Sequence, residues 1–123
     1  HALQASIVRW CQGIGAADVR NRFAAIPNGW NVQGADYKAR AIAGAKLKAE
    51  GVKAGVPDMI FWGGNEVAPM WLELKNGEGG RISDKQSEMI DSLRGAGMAV
   101  HVCRTFGEAI KAITKFYGRP GNP

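Results

Sequence analysis

The chain has 123 residues and a mass of 13.2 kDa, the size of one domain. Sixteen Lys and Arg against eleven Asp and Glu leave a formal charge of +5 and a pI near 9.5. A hydrophobic share of 46% excludes wholesale disorder, and seventeen glycines without a Gly-X-Y period exclude a collagen-like chain and point to tight turns. No apolar run reaches 18 residues, so the sequence offers no membrane-spanning helix.

In chain order, the spacing of Leu3, Ile7, Val8, Trp10 and Cys11 predicts an amphipathic helix over residues 2–13, stopped by Gly13 and Gly15. Arg22 to Ile26 reads as a short strand ended by Pro27-Asn28-Gly29, where Asn-Gly favours a turn. The Ala- and Lys-rich stretch 35–50 predicts a second helix with Gly51 as its stop. Asp58 to Trp62 and Ala68 to Lys75 are two apolar runs separated by the turn signal Gly63-Gly64-Asn65-Glu66, which predicts a hairpin. Asn76 to Gly80 holds three glycines and predicts a mobile loop rimming a cleft. It lacks the Gly-Lys-Ser/Thr ending of a phosphate-binding P-loop.

Ser83 is a good N-cap for a helix over 84–95, with Asp84 in its first turn and Met89, Ile90 and Leu93 on its apolar face. Ala99 to Cys103 reads as a buried strand, with His101 expected as a core histidine, and Thr105 caps a last helix that turns Ala109, Ile110, Ile113 and Phe116 inward. The order helix, strand, helix, strand, strand, helix, strand, helix predicts an α/β domain with a small mixed sheet flanked by helices. It spans residues 1–117, and 118–123 form a frayed tail. Cys11 and Cys103 are too few for a disulfide framework and read as reduced, buried thiols. With no secretory signal at the start, they predict a cytoplasmic protein. Neither these cysteines nor His1 and His101 show zinc-ligand spacing.

The residues that carry chemistry are Gly55-Val56-Pro57-Asp58 and, fifteen residues after the aspartate, Glu73-Leu74-Lys75. Alternation along a strand puts Glu73 and Lys75 on one face and Leu72 and Leu74 on the other. Pairing the two runs brings Asp58 to the Glu73 end, so two carboxylates and an ammonium share a small volume. Close carboxylates repel unless a cation lies between them. A hard divalent ion such as Mg²⁺, which takes oxygen ligands, satisfies both and can polarise a phosphodiester. From spacing alone, a Glu and a Lys on a solvated strand face are the commoner reading.

Gly55-Val56-Pro57-Asp58, then Trp71-Leu72-Glu73-Leu74-Lys75, then Ser83-Asp84-Lys85-Gln86 resembles the PD-(D/E)xK nuclease superfamily, and within it the VRR-NUC (virus-type replication-repair nuclease) branch. The likeness continues upstream in Ile26-Pro27-Asn28-Gly29 and downstream in the Gly97-to-Cys103 strand, and covers roughly residues 3–110. It implies a restriction-endonuclease-like core with Asp58, Glu73, Lys75 and Gln86 as catalytic residues. It also implies Asp58, Glu73 and the Leu74 carbonyl as ligands of Mg²⁺ or Mn²⁺. Gln86 is expected to orient water or a phosphate. Family members often carry an acid in the first helix that completes the site; here that position falls just before His1, with Gln4 the nearest candidate.

Stand-alone members of this size are viral or bacterial, similar to homodimers that resolve four-way DNA junctions. The resemblance thus implies a structure-selective DNA endonuclease acting as a homodimer in a bacterial or phage-infected cell. The alternative is a catalytically inactive DNA-binding module on the same fold. For the DNA itself, residues 36–55 hold the cations Lys38, Arg40, Lys46, Lys48 and Lys53 against Asp36 and Glu50, an attractive surface for a phosphate backbone. Arg81 and Lys85 flank the glycine loop, and Asn28 sits beside its turn. These, with Lys38, Lys46, Lys48 and Lys53, are the expected DNA contacts. Among the tryptophans, Trp10 is expected in the core, Trp71 on the Glu73 face and Trp30 exposed beside its turn.

Overall fold

The computed structural model describes residues 2–13, 19–27, 37–76 and 80–118. The elements are α1 (Ala2–Gln12), β1 (Phe23–Ala25), α2 (Tyr37–Ala49), β2 (Met59–Phe61), β3 (Met70–Leu74), α3 (Asp84–Gly95), β4 (Ala99–Cys103) and α4 (Phe106–Phe116). Their order is the one expected from sequence, and the chain is an α/β domain with a four-stranded mixed sheet. The strands lie in the order β1-β2-β3-β4. β1 pairs antiparallel with β2 and β2 antiparallel with β3, while β4 lies parallel to β3 after the α3 crossover.

The two faces of the sheet have different tasks. Met59, Phe61, Met70, Leu72, Leu74 and Cys103 turn to one side and bury themselves against Ile7 and Cys11 of α1 and Ala109, Ile113 and Phe116 of α4. Burying side chains of this size from water is worth about 1.5–3 kcal/mol each and drives the packing of this layer. Trp71 and Glu73 point to the opposite face, where α3 lies. Glu73 is bonded to Gln86 of that helix, and the Trp71 indole N–H donates to the Met98 sulfur just beyond it at 3.3 Å.

α3 begins where the sequence says it should. The Ser83 hydroxyl accepts from the Gln86 N–H at 3.1 Å, and the Gln86 side chain returns to the Ser83 N–H at 3.0 Å, a reciprocal capping box. Thr105 caps α4 by accepting from the Glu108 N–H. At the end of the sheet away from the β3 C-terminus, the Tyr117 hydroxyl lies 2.9 Å from the Trp62 carbonyl and 3.1 Å from that of Arg22, and the Asn65 N–H donates to the Phe116 carbonyl. These contacts tie the turn after β2 to the end of α4, so the opposite strand ends are carried on a fixed frame.

Two expectations are corrected. His101 is exposed rather than set in the core. β4 is an edge strand of the described sheet, so only part of its length is covered: Val100 and Cys103 are buried, and His101 between them is not. The first strand is shorter than expected and stops at Ala25, although the Ile26 N–H still donates to the Asp58 carbonyl at 2.8 Å. Cys11 and Cys103 are both buried and unpaired; burial pushes the Cys11 thiol up to about 12, and burial with the nearby Glu108 charge pushes Cys103 to about 11. They are inert thiols. No described helix is long and apolar enough to cross a membrane. Of the tail expected over 118–123, residues 119–123 lie outside the described residues.

Candidate active site

β2 and β3 pair with Met59 opposite Leu72, so one step further along the ladder Asp58 faces Glu73. Cross-strand partners project to the same side of a sheet, and both carboxyl groups therefore meet at the end of the hairpin. The Asp58 backbone is held from the other side by β1 through the Ile26 N–H. Its side chain is fixed too: Asp58 Oδ2 accepts the Leu74 N–H at 2.7 Å. Leu74 thus contributes its N–H to this corner, a role that the side-chain pattern of the sequence does not reveal.

Among the described residues Glu73 is the buried charged side chain, with 2% of its surface exposed. Its Oε2 accepts from Gln86 Nε2 at 3.0 Å and lies 3.6 Å from Lys75 Nζ. Gln86 Oε1 in turn accepts from Lys75 Nζ at 2.7 Å and from the Ser83 N–H at 3.0 Å. One glutamine therefore orders the acid and the ammonium together. Its amide is assigned without ambiguity, because the oxygen meets two donors and the nitrogen meets a carboxylate. Gln86, expected to orient water or a phosphate, is bonded in this structure to Glu73, Lys75 and the helix cap.

The remaining oxygen, Glu73 Oε1, is buried with no hydrogen-bond partner. An orphaned buried carboxylate oxygen costs free energy, and the protonation equilibrium shows it. Burial first, then the Asp58 charge, pushes the Glu73 carboxyl from its ordinary 4.5 up to about 7, against the opposing pull of Lys75. A bond between Asp58 and Glu73 needs a shared proton. When both groups are ionised they repel, and Glu73 Oε1 then faces no donor at all.

A hard divalent ion fits this arrangement chemically. The donor set is all oxygen, two carboxylates converge, and one buried oxygen lacks a partner. Among the described residues no three His, Cys, Asp or Glu gather in one place, so the described corner offers two carboxylates. That matches an ion such as Mg²⁺, which keeps several waters, better than one that demands a full protein cage.

Around this corner, Gly55 has φ +87°, and a Cβ there would stand 2.5 Å from the Lys85 carbonyl oxygen and 3.0 Å from the Gln86 nitrogen. The Gly55–Asp58 loop is therefore packed against the first turn of α3, with Pro57 buried beneath it. Arg104 Nη1 donates to the Gly80 carbonyl at 2.7 Å, and the Lys75 N–H donates to the Cys103 carbonyl at 3.0 Å, anchoring both ends of the glycine loop to the end of β4. Arg104 escaped the sequence reading because a single arginine after a strand carries no distinguishing pattern.

Lys38, Arg40, Lys46, Lys48, Lys53, Arg81 and Lys85 are all exposed, as a phosphate-binding surface requires. Asn28, Trp30 and residues 77–79 lie outside the described residues. Trp71 is half-buried on the Glu73 face, and Trp10 packs at the margin of the core. Gln4 lies on α1.

A four-stranded mixed sheet carrying a Pro-Asp, a Glu-x-Lys and a helical Gln at one corner defines a nuclease-type fold. The profile of the VRR-NUC domain matches residues 31–107, and the chain belongs to that family. A solved structure titled "VRR_NUC domain protein" superposes with a TM-score of 0.70 at 22% identity, covering 94% of this chain and 84% of that one, which shows a shared fold. No curated protein matches the chain.

Proposed function

We propose that this protein is a divalent-metal-dependent, structure-selective DNA endonuclease, working as a homodimer on branched DNA such as a four-way junction in the cytoplasm of a bacterial or phage-infected cell. One observation carries the reading: Glu73, buried and facing Asp58, keeps an oxygen without a donor while Lys75 stands 3.6 Å from its other oxygen.

Asp58, Glu73 and the Leu74 carbonyl would hold Mg²⁺ or Mn²⁺, which when bound supplies Lewis acidity to the phosphodiester and a water of lowered pKa. The chain's own residues do the rest. The Leu74 N–H fixes the Asp58 carboxylate. Gln86 holds one Glu73 oxygen, which would leave the other to the ion. Lys75, held by Gln86, sets positive charge beside the reacting phosphate, where negative charge grows during in-line attack. The exposed cations of α2, with Lys53, Arg81 and Lys85, bind backbone phosphates and so favour DNA shape over base sequence. A twofold dimer suits a junction with two strands to cut.

A labelled four-way junction incubated with Mg²⁺ or Mn²⁺ tests this. Wild type should nick opposing strands and Lys75→Ala should lose about 10²–10³-fold in rate. Equal cutting by both removes Lys75 from the mechanism. The second reading, a DNA-binding module without catalysis, draws on the modest donor set, with no third acid near Asp58 and Glu73 among the described residues. Junction binding without cutting by any variant or metal would favour it.

A further inference from the structure

We propose that Gly55 is a positioning residue of the metal site: its missing side chain lets the Asp58 loop lie directly on the first turn of α3, and this contact sets the distance between Asp58 and the Gln86-bound pair Glu73 and Lys75. The inference rests on the nuclease reading of that site. Four links form a closed ring. Asp58 is joined to β3 by the Leu74 N–H at 2.7 Å. Glu73 and Lys75 of that stretch are joined to α3 by Gln86 at 3.0 and 2.7 Å. Gln86 is seated in its turn by the Ser83 cap. The ring closes where Gly55, three residues before Asp58, meets the backbone of Lys85 and Gln86.

What blocks a side chain at Gly55 is backbone: the Lys85 carbonyl oxygen at 2.5 Å, its carbon at 2.7 Å and the Gln86 nitrogen at 3.0 Å. No rotamer change relieves such a clash. Either the loop carrying Asp58 or the turn carrying Gln86 must shift, and both hold the same two carboxylates in register. Asp58, Glu73 and Gln86 thus share one mechanical constraint that lies outside the Pro-Asp, Glu-x-Lys and Gln positions themselves.

Gly51 supplies the control. It has a similar φ of +94° but no atom within 4 Å of a Cβ. Gly51→Ala therefore carries the cost of the left-handed backbone alone, and Gly55→Ala carries that cost and the displacement. The readout is Mn²⁺ binding by calorimetry to the DNA-free protein, with urea unfolding measured on each variant. Gly55→Ala should weaken Mn²⁺ binding about tenfold or more, the scale of losses when groups supporting metal ligands are removed, while Gly51→Ala binds as wild type.

Gln86→Ala, which leaves the Gly55 contact in place, should weaken Mn²⁺ to a similar degree and keeps the inference testable if Gly55→Ala folds poorly. Unchanged Mn²⁺ affinity in either Gly55→Ala or Gln86→Ala overturns the proposal while leaving the nuclease reading intact. So does a Gly55→Ala chain that cannot fold at any Mn²⁺ concentration, which would make the contact a requirement of the whole fold. Wild type that binds no Mn²⁺ overturns both readings.

Discussion

Glu73 concentrates the chemistry of the molecule in one side chain. In the unfolded chain its carboxyl loses a proton near the ordinary 4.5, and in the folded, metal-free protein near 7. Between those values the folded state holds the extra proton, so the metal-free protein becomes less stable as pH rises from about 4.5 to about 7 and levels off above. The whole change is on the order of 3 kcal/mol. Urea unfolding of wild type at pH 5 and pH 8 should show that loss; Glu73→Gln, which has no charge to bury, should show much less, and saturating Mg²⁺ should flatten the wild-type profile. Identical pH profiles for wild type and Glu73→Gln would contradict the picture of a strained, buried acid.

A second expectation at this scale concerns DNA. Asp58→Ala and Glu73→Ala should abolish junction cleavage while gel-shift affinity stays the same or tightens, because each removes negative charge near phosphate. Weaker binding by correctly folded variants would contradict that account.

At the scale of elements, the hairpin was the most legible part of the sequence, because Gly63-Gly64-Asn65-Glu66 between two apolar runs leaves little choice of topology and alternation assigns Glu73 and Lys75 to one face. The start of α3 was equally legible in Ser83, whose cap is local chemistry. What could not be read was any feature made by backbone. The Leu74 N–H bond to Asp58, the seat of Gly55 on Lys85 and the Arg104 bond to Gly80 join segments far apart in the chain, and no residue type announces them. His101 failed for a related reason: an apolar run signals a strand, and its place at the edge of the sheet is set by topology. Because Ser83 satisfies an α3 donor that would otherwise lack a partner, Ser83→Ala should lower stability by about 1 kcal/mol in urea or thermal unfolding. Since the same turn carries Gln86, Ser83→Gly, with its smaller expected loss, is the natural comparison.

At the scale of the whole molecule, the sheet separates stability from function. One face supplies the apolar layer with α1 and α4; the other, under α3, supplies the polar corner, which can therefore carry an unfavourable buried charge without breaching the core. The positive charge is spread over exposed side chains, so binding to DNA should be strongly salt-dependent. Replacing Lys38, Lys46 and Lys48 by Ala should weaken binding to all sequences alike and reduce the slope of log K against log salt by up to about 3 for duplex DNA. An unchanged slope would show that α2 does not meet the phosphates. Sedimentation should give a mass twice the 13.2 kDa of the chain if the protein acts as the proposed dimer.

The most direct measurement is anomalous diffraction from a crystal soaked in Mn²⁺. The account requires a single strong anomalous peak between the carboxylates of Asp58 and Glu73, within bonding distance of the orphaned Glu73 oxygen, and its loss in Asp58→Ala. A wild-type crystal that binds Mn²⁺ elsewhere, or leaves that corner to a proton shared by the two acids, would contradict it.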